Sequence, residues 1–103
     1  MLVAALGNLF TTVNLGYAQT WTQSSTPITN WSGVAAAADG NKLVAVVWTG
    51  GIYTSTNSGT TWMRTSAPWT NWSAVASSAD GSKLVASVFN NGPIYVSTNS
   101  GTT

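Results

Sequence analysis

The chain repeats itself, and the repeat limits its fold more than any other feature. Residues 21–47 match residues 62–88 at a shift of 41, with 17 of 27 positions identical. The run NWSGVAAAADGNKLVAVV in the first copy becomes NWSAVASSADGSKLVASV in the second. One residue is then inserted near Asn90-Asn91, and the shift becomes 42. Residues 51–61 agree with 93–103 at 9 of 11 positions, including a shared STNSGTT. Units of this length cannot bury both their faces alone and lean on their neighbours.

Each copy reads as four short strands. The first is predicted over 30–37 (second copy, 71–78), where Trp31, Val34 and Ala36 begin a half-buried pattern. Asp39-Gly40 and Asp80-Gly81 follow as tight turns, because Asp-Gly tolerates the positive φ that such turns require. The second strand, over 42–48 and 83–89, is a near-continuous apolar run that fits a strand covered on both faces. Gly and Asn break it before a third strand over 52–56 and 94–98. Asn57-Ser58-Gly59 then turns the chain into a fourth strand around 61–64, and Ser66-Ala67-Pro68 links to the next unit. Four strands in about 41 residues, repeated, is the pattern of β-propeller blades. The fold class is therefore all-β: two to two and a half blades of four-stranded antiparallel sheet, an incomplete ring when alone. Residues 19–61 form the first blade repeat and 62–103 the second.

Composition supports this reading and excludes others. Charged residues make up 5% of the chain, where about 25% is usual. Disorder does not explain the deficit, since six Trp and many Val, Ile and Thr are present. A membrane span needs about 20 apolar residues in a row, and Asn or Thr interrupts every apolar run. Nucleic acid needs clustered cations, whereas Lys42, Arg64 and Lys83 are spread along the chain. The absence of Cys and His removes disulfides, thiolate chemistry and the commonest metal ligand and general base.

At STNSGTTW the sequence resembles a known family. Ser55, Asn57, Gly59, Thr61 and Trp62 stand as in the Asp-box (bacterial neuraminidase repeat) pattern, Ser-x-Asp-x-Gly-x-Thr-Trp. Ser97, Asn99 and Gly101 begin a second box that runs to Thr103. The resemblance covers residues 21–103 and implies a structural turn clasp between the third and fourth strands of a sialidase-like propeller blade. Asn57 and Asn99 stand where the family has Asp. Asn keeps the oxygen that accepts backbone N–H bonds and loses the charge.

Catalytic chemistry is hard to assemble from these residues. A sialidase-type site needs three arginines, a Tyr with a Glu beside it, and an acid Asp; this chain has one Arg, no Glu, and only Asp39 and Asp80. Both Asp sit in equivalent turns, which makes them turn formers rather than a pair flanking one bond. No His is present to activate the many Ser and Thr. We therefore expect no catalytic residue, no metal and no cofactor within this chain. The competing expectation is a piece of a larger Asp-box enzyme, such as a sialidase-like glycosidase, with its catalytic residues in other blades.

Among the aromatics, Trp21, Trp31, Trp62 and Trp72 recur and are expected in the core, as are Trp48 and its counterpart Phe89. Trp69 and Arg64 break the repeat, standing where the first copy has Ile28 and Gln23. An exposed Trp beside an Arg can stack on a sugar or another planar ligand, so the pair is the candidate ligand contact; drift in a surface loop is the plainer account.

Residues 1–18 admit two readings. Gly16-Tyr17-Ala18 before Gln19 places small residues where a signal peptidase cuts, which implies a truncated signal and an extracytoplasmic or secreted protein. Alternatively Leu2 to Ala5 resembles Leu43 to Val46, and Leu9 to Gly16 resembles Ile52 to Gly59, as a degenerate half-blade. In either case the partners expected are further copies of the chain or missing blades of a longer one, together with a carbohydrate or protein ligand. With residues 1–18 removed as a signal, two blades per copy give six blades from three copies and eight from four; with residues 1–18 as a half-blade, two copies give five.

Overall fold

The computed structural model describes residues 20–103; the segment read as a signal or half-blade lies outside the described residues. The described part is all-β, with seven strands and no helix. Strands β1 (Trp31–Ala36), β2 (Leu43–Val47), β3 (Ile52–Ser55) and β4 (Met63–Arg64) form one antiparallel sheet in that order. Strands β5 (Trp72–Ser77), β6 (Leu84–Val88) and β7 (Ile94–Ser97) form a second antiparallel sheet of three strands.

Local chemistry explains why the strands turn where they do. In the first sheet Gly40 takes φ 76°, and its N–H donates to the Ala37 carbonyl at 3.0 Å. In the second, Gly81 takes φ 77° and donates to the Ser78 carbonyl at 3.0 Å. Left-handed backbone of this kind is open to glycine at little steric cost. The strand registers also repeat. Leu43 faces Ser55 as Leu84 faces Ser97, so the residue inserted near Asn90 is absorbed wholly in the loop. Both first strands carry a register shift at a serine, Ser32 and Ser73.

The two sheets pack face to face. Val44, Val46 and Ile52 on the forward face of the first meet Trp72 and Ala86 on the rear face of the second. The strands β1 and β5 pass closest: a Cβ on Gly33 would stand 3.6 Å from the Ala74 Cα. Here Ser32 Oγ donates across the gap to the Trp72 carbonyl at 2.7 Å. The pair Gly33–Val46 of the first sheet is replaced by Ala74–Ser87 in the second, so volume lost from one strand is regained on its neighbour.

Burial corrects several expectations. Of the first strand it is Trp31, Gly33 and Ala35 that are half-buried, while Val34 and Ala36 are exposed. Its counterpart Val75 is packed against the core, because the first sheet covers it. Trp21 is fully exposed rather than in the core. Phe89 is 52% exposed and meets Trp48 edge-on at 4.8 Å, a pair at the rim of the sheets rather than inside them. Strand β2 is buried on both faces, in accord with its continuous apolar run. Strand β6, expected to be covered in the same way, leaves Val85 exposed, because no sheet among the described residues covers that face.

Candidate functional site at the loop end of the sheets

Antiparallel order gives each sheet two unlike ends. One end carries the Asp-Gly turns and the box-like turns between the third strand and the residues that follow it. Ser55 Oγ accepts from the Gly59 N–H at 2.9 Å, and Asn57 Oδ1 accepts from the Thr61 N–H at 2.9 Å. Since Oδ1 must face that N–H, the amide nitrogen faces Thr61 Oγ1 and donates to it at 2.8 Å. Trp62 closes the turn, its Nε1–H donating to the Gly59 carbonyl at 3.1 Å. The second turn repeats the clasp: Gly101 N–H to Ser97 Oγ at 2.9 Å, Thr103 N–H to Asn99 Oδ1 at 3.0 Å, and Asn99 Nδ2 to Thr103 Oγ1 at 2.9 Å.

The two carboxylates belong to this end as well. Asp39 accepts from the Asn41 N–H at 2.9 Å. Asp80 accepts from the N–H and hydroxyl of Ser82 and from the Ser78 hydroxyl, at 2.9, 2.8 and 2.8 Å. The bonds from Ser82, and then that from Ser78, hold the Asp80 carboxyl well below its usual range. The two turns are joined by the Ala38 N–H donating to the Ala79 carbonyl at 2.7 Å.

The opposite end holds the β2–β3 and β6–β7 loops and the link from β4 to β5, and here the two copies differ in side chains. The Arg64 guanidinium lies over the Trp69 ring, 5.3 Å from its centroid. Trp69 remains 63% exposed, so the stack leaves much of the indole open to solvent. The Arg64 stem runs over Gly51, where a Cβ would be in van der Waals contact with Arg64 Cγ and Cδ at 3.4 Å. Gly50 and Thr70 exchange two backbone hydrogen bonds of 3.0 Å, which ties the link to the β2–β3 loop and fixes Trp69 beside it. The Trp48–Phe89 pair belongs to this same end. Asn90 and Asn91 follow it with φ of 63° and 69°, a left-handed pair that side chains other than Gly, Asn and Asp seldom adopt.

Two side chains singled out from the sequence, Arg64 and Trp69, are thus in contact. The Trp48–Phe89 pair and the left-handed Asn90-Asn91 corner were missed. Their only sequence signal is position: Trp48 and Phe89 each directly follow the second strand of their copy. Elsewhere in the sheets, Trp31 and Trp72 each donate Nε1–H to a link proline carbonyl at 3.1 Å and meet Tyr53 and Tyr95 edge-on. These repeated contacts hold the sheets to their links. Among the described residues no helix is long and apolar enough to cross a membrane, and no three His, Cys, Asp or Glu side chains gather. No family model, curated protein or solved structure matches this chain.

Proposed function

We propose that the chain is a non-catalytic β-propeller repeat module that binds a carbohydrate at the loop end of its sheets and that further blades complete. The observation that carries the reading is the exposed Arg64–Trp69 stack, whose residues stand where the first copy has Gln23 and Ile28. A flat indole held by a tied link is suited to the apolar face of a pyranose ring, and a guanidinium beside it to the hydroxyls or a carboxylate. The loops of this end contain no Asp or Glu, so Arg64 supplies their only side-chain charge. Both aspartates of the chain are engaged in turns at the other end, which leaves the loop end without an acid or base.

The test is an NMR titration of the indole N–H signals with a neutral and an acidic oligosaccharide. The Trp69 signal is expected to shift and saturate, with Trp69→Ala abolishing binding while the far-ultraviolet spectrum stays unchanged. Arg64→Gln is expected to weaken the acidic sugar more than the neutral one. A Trp69 signal indifferent to both sugars would count against carbohydrate as the ligand. An Asp-box enzyme with its catalytic residues in other blades shares the same sheets. It is favoured instead if flanking coding sequence adds blades rich in Glu and Arg.

A further inference from the structure

The second sheet is open where the first is closed. Among the described residues no strand pairs with the outer edge of β7, whereas β3 is paired with β4. Its forward face is bare too: Ile94 is 69% exposed, and its counterpart Ile52 only 7%. The first sheet shows the complementary deficiency on its rear face, where Val34 lies exposed and its counterpart Val75 is covered.

We propose that another copy of this chain completes the second sheet, adding its residues 21–24 beside β7 as a fourth strand and laying its first sheet on the open face. This rests on reading the two sheets as successive propeller blades. The interface it requires already exists once in the molecule, as the forward face of the first sheet packed on the rear face of the second. A second copy repeats that contact with the same positions, the partner presenting Trp31, Val34 and Ala45 where this chain presents Trp72, Val75 and Ala86.

The strand is supplied by the same step. Residues 21–24, Trp-Thr-Gln-Ser, occupy the places of Trp62, Met63, Arg64 and Thr65 at the shift of 41. The link onward to the first sheet has the same length as the link from Thr65 to the second sheet. It is also held in a corresponding place. Thr65 Cγ2 lies 3.3 Å from where a Cβ on Gly101 would stand, against the second box-like turn. Ser25, one place beyond the counterpart of Thr65, donates to the Thr60 carbonyl of the first box-like turn at 2.7 Å. The residues before Ser25 are thus tied near the first box-like turn as Thr65 is set against the second, and Trp21 among them is fully exposed.

Register follows from the first sheet, where Thr54 faces Met63 and Tyr53 faces Arg64. Val96 will face Thr22 of the next copy, and Tyr95 will face Gln23. Trp21 will close the second turn by donating to the Gly101 carbonyl, as Trp62 does to Gly59. Such a contact joins unlike surfaces head to tail, so it closes into a ring when the rotation per copy allows. Propeller rings hold roughly 4–8 blades, which corresponds to two to four copies of two sheets.

The experiment pairs solution mass with disulfide trapping in the 103-residue chain. Light scattering is expected to give one species of two to four times the chain mass. Thr22→Cys with Val96→Cys is expected to form disulfides between chains, in a ladder that stops at the size of the ring. A uniform monomer, or a disulfide confined within one chain, overturns the proposal. Thr54→Cys with Met63→Cys provides the control, because those residues face each other within the first sheet. If that internal bond forms and the ladder does not, the copy-to-copy strand is wrong and the reading of the sheets survives. If neither forms, the sheet reading itself fails. Trp21→Ala is expected to lower the mass to a single chain without loss of the β-sheet spectrum, which separates loss of assembly from loss of folding.

Discussion

Ile52 and Ile94 hold the same place in the two repeats, each facing the same position of a neighbouring strand, Val46 and Ser87. One is in the core and the other stands in solvent. The same contrast separates Trp72, which is fully buried, from Trp31, which is half-buried although it makes the same bond to a link proline. Nearly identical sequence therefore gives nearly identical strands and turns but unequal cores. Strand, turn and register are properties of one copy; burial is a property of its neighbours.

Substitutions at equivalent sites sharpen this contrast. The largest difference is expected at the tryptophans. Trp72→Ala should cost about 3–5 kcal/mol in a denaturant melt, and Trp31→Ala clearly less. Equal losses at the two sites would break the comparison. Next come the isoleucines, where Ile52→Ala should cost about 2–4 kcal/mol. For dilute, unassembled chains Ile94→Ala should stay within about 0.5 kcal/mol. Raising the protein concentration should make the Ile94→Ala loss grow, because association stabilises by mass action.

The turns are expected to differ less. Asn57→Ala removes the acceptor of the Thr61 N–H and a donor to its hydroxyl, a loss of about 1–2 kcal/mol in a thermal or denaturant melt. Asn57→Asp should restore most of it, with the Thr61 hydroxyl then donating to the carboxylate. Asn99→Ala should cost less than Asn57→Ala, because no fourth strand follows its turn among the described residues.

The smallest effect is that of pH on the Asp80 turn. The folded carboxyl titrates below its ordinary value of 3.8. Its contribution is therefore present above that value and lost as pH falls through the lower folded one. Carboxyl NMR should find Asp80 still ionised at about pH 3. Replacing Ser82 by Ala should move its titration upward.

What the sequence could disclose follows the same division. Apolar runs and the Asp-Gly and Asn-Ser-Gly turns that bound them placed all seven strands to within a residue or two, because each signal is local. Val34, Trp21 and Phe89 were misjudged because their burial depends on a sheet the local pattern does not mention. At the loop end, Arg64 and Trp69 could be singled out because they break the repeat. Trp48 and Phe89 could not be paired from sequence, since they meet only when two sheets stack with like ends aligned. The left-handed Asn90-Asn91 corner is hidden in the same way, by a loop that takes up an extra residue without disturbing either strand.

That loop has a practical consequence. It already accommodates one more residue than its counterpart while Leu84 still meets Ser97 and Ser87 still meets Ile94. Length at this corner is thus uncoupled from the register of the sheet beneath. The corner is a natural place to graft a peptide epitope or a randomised library, with the rest of the repeat serving as a fixed frame that presents it.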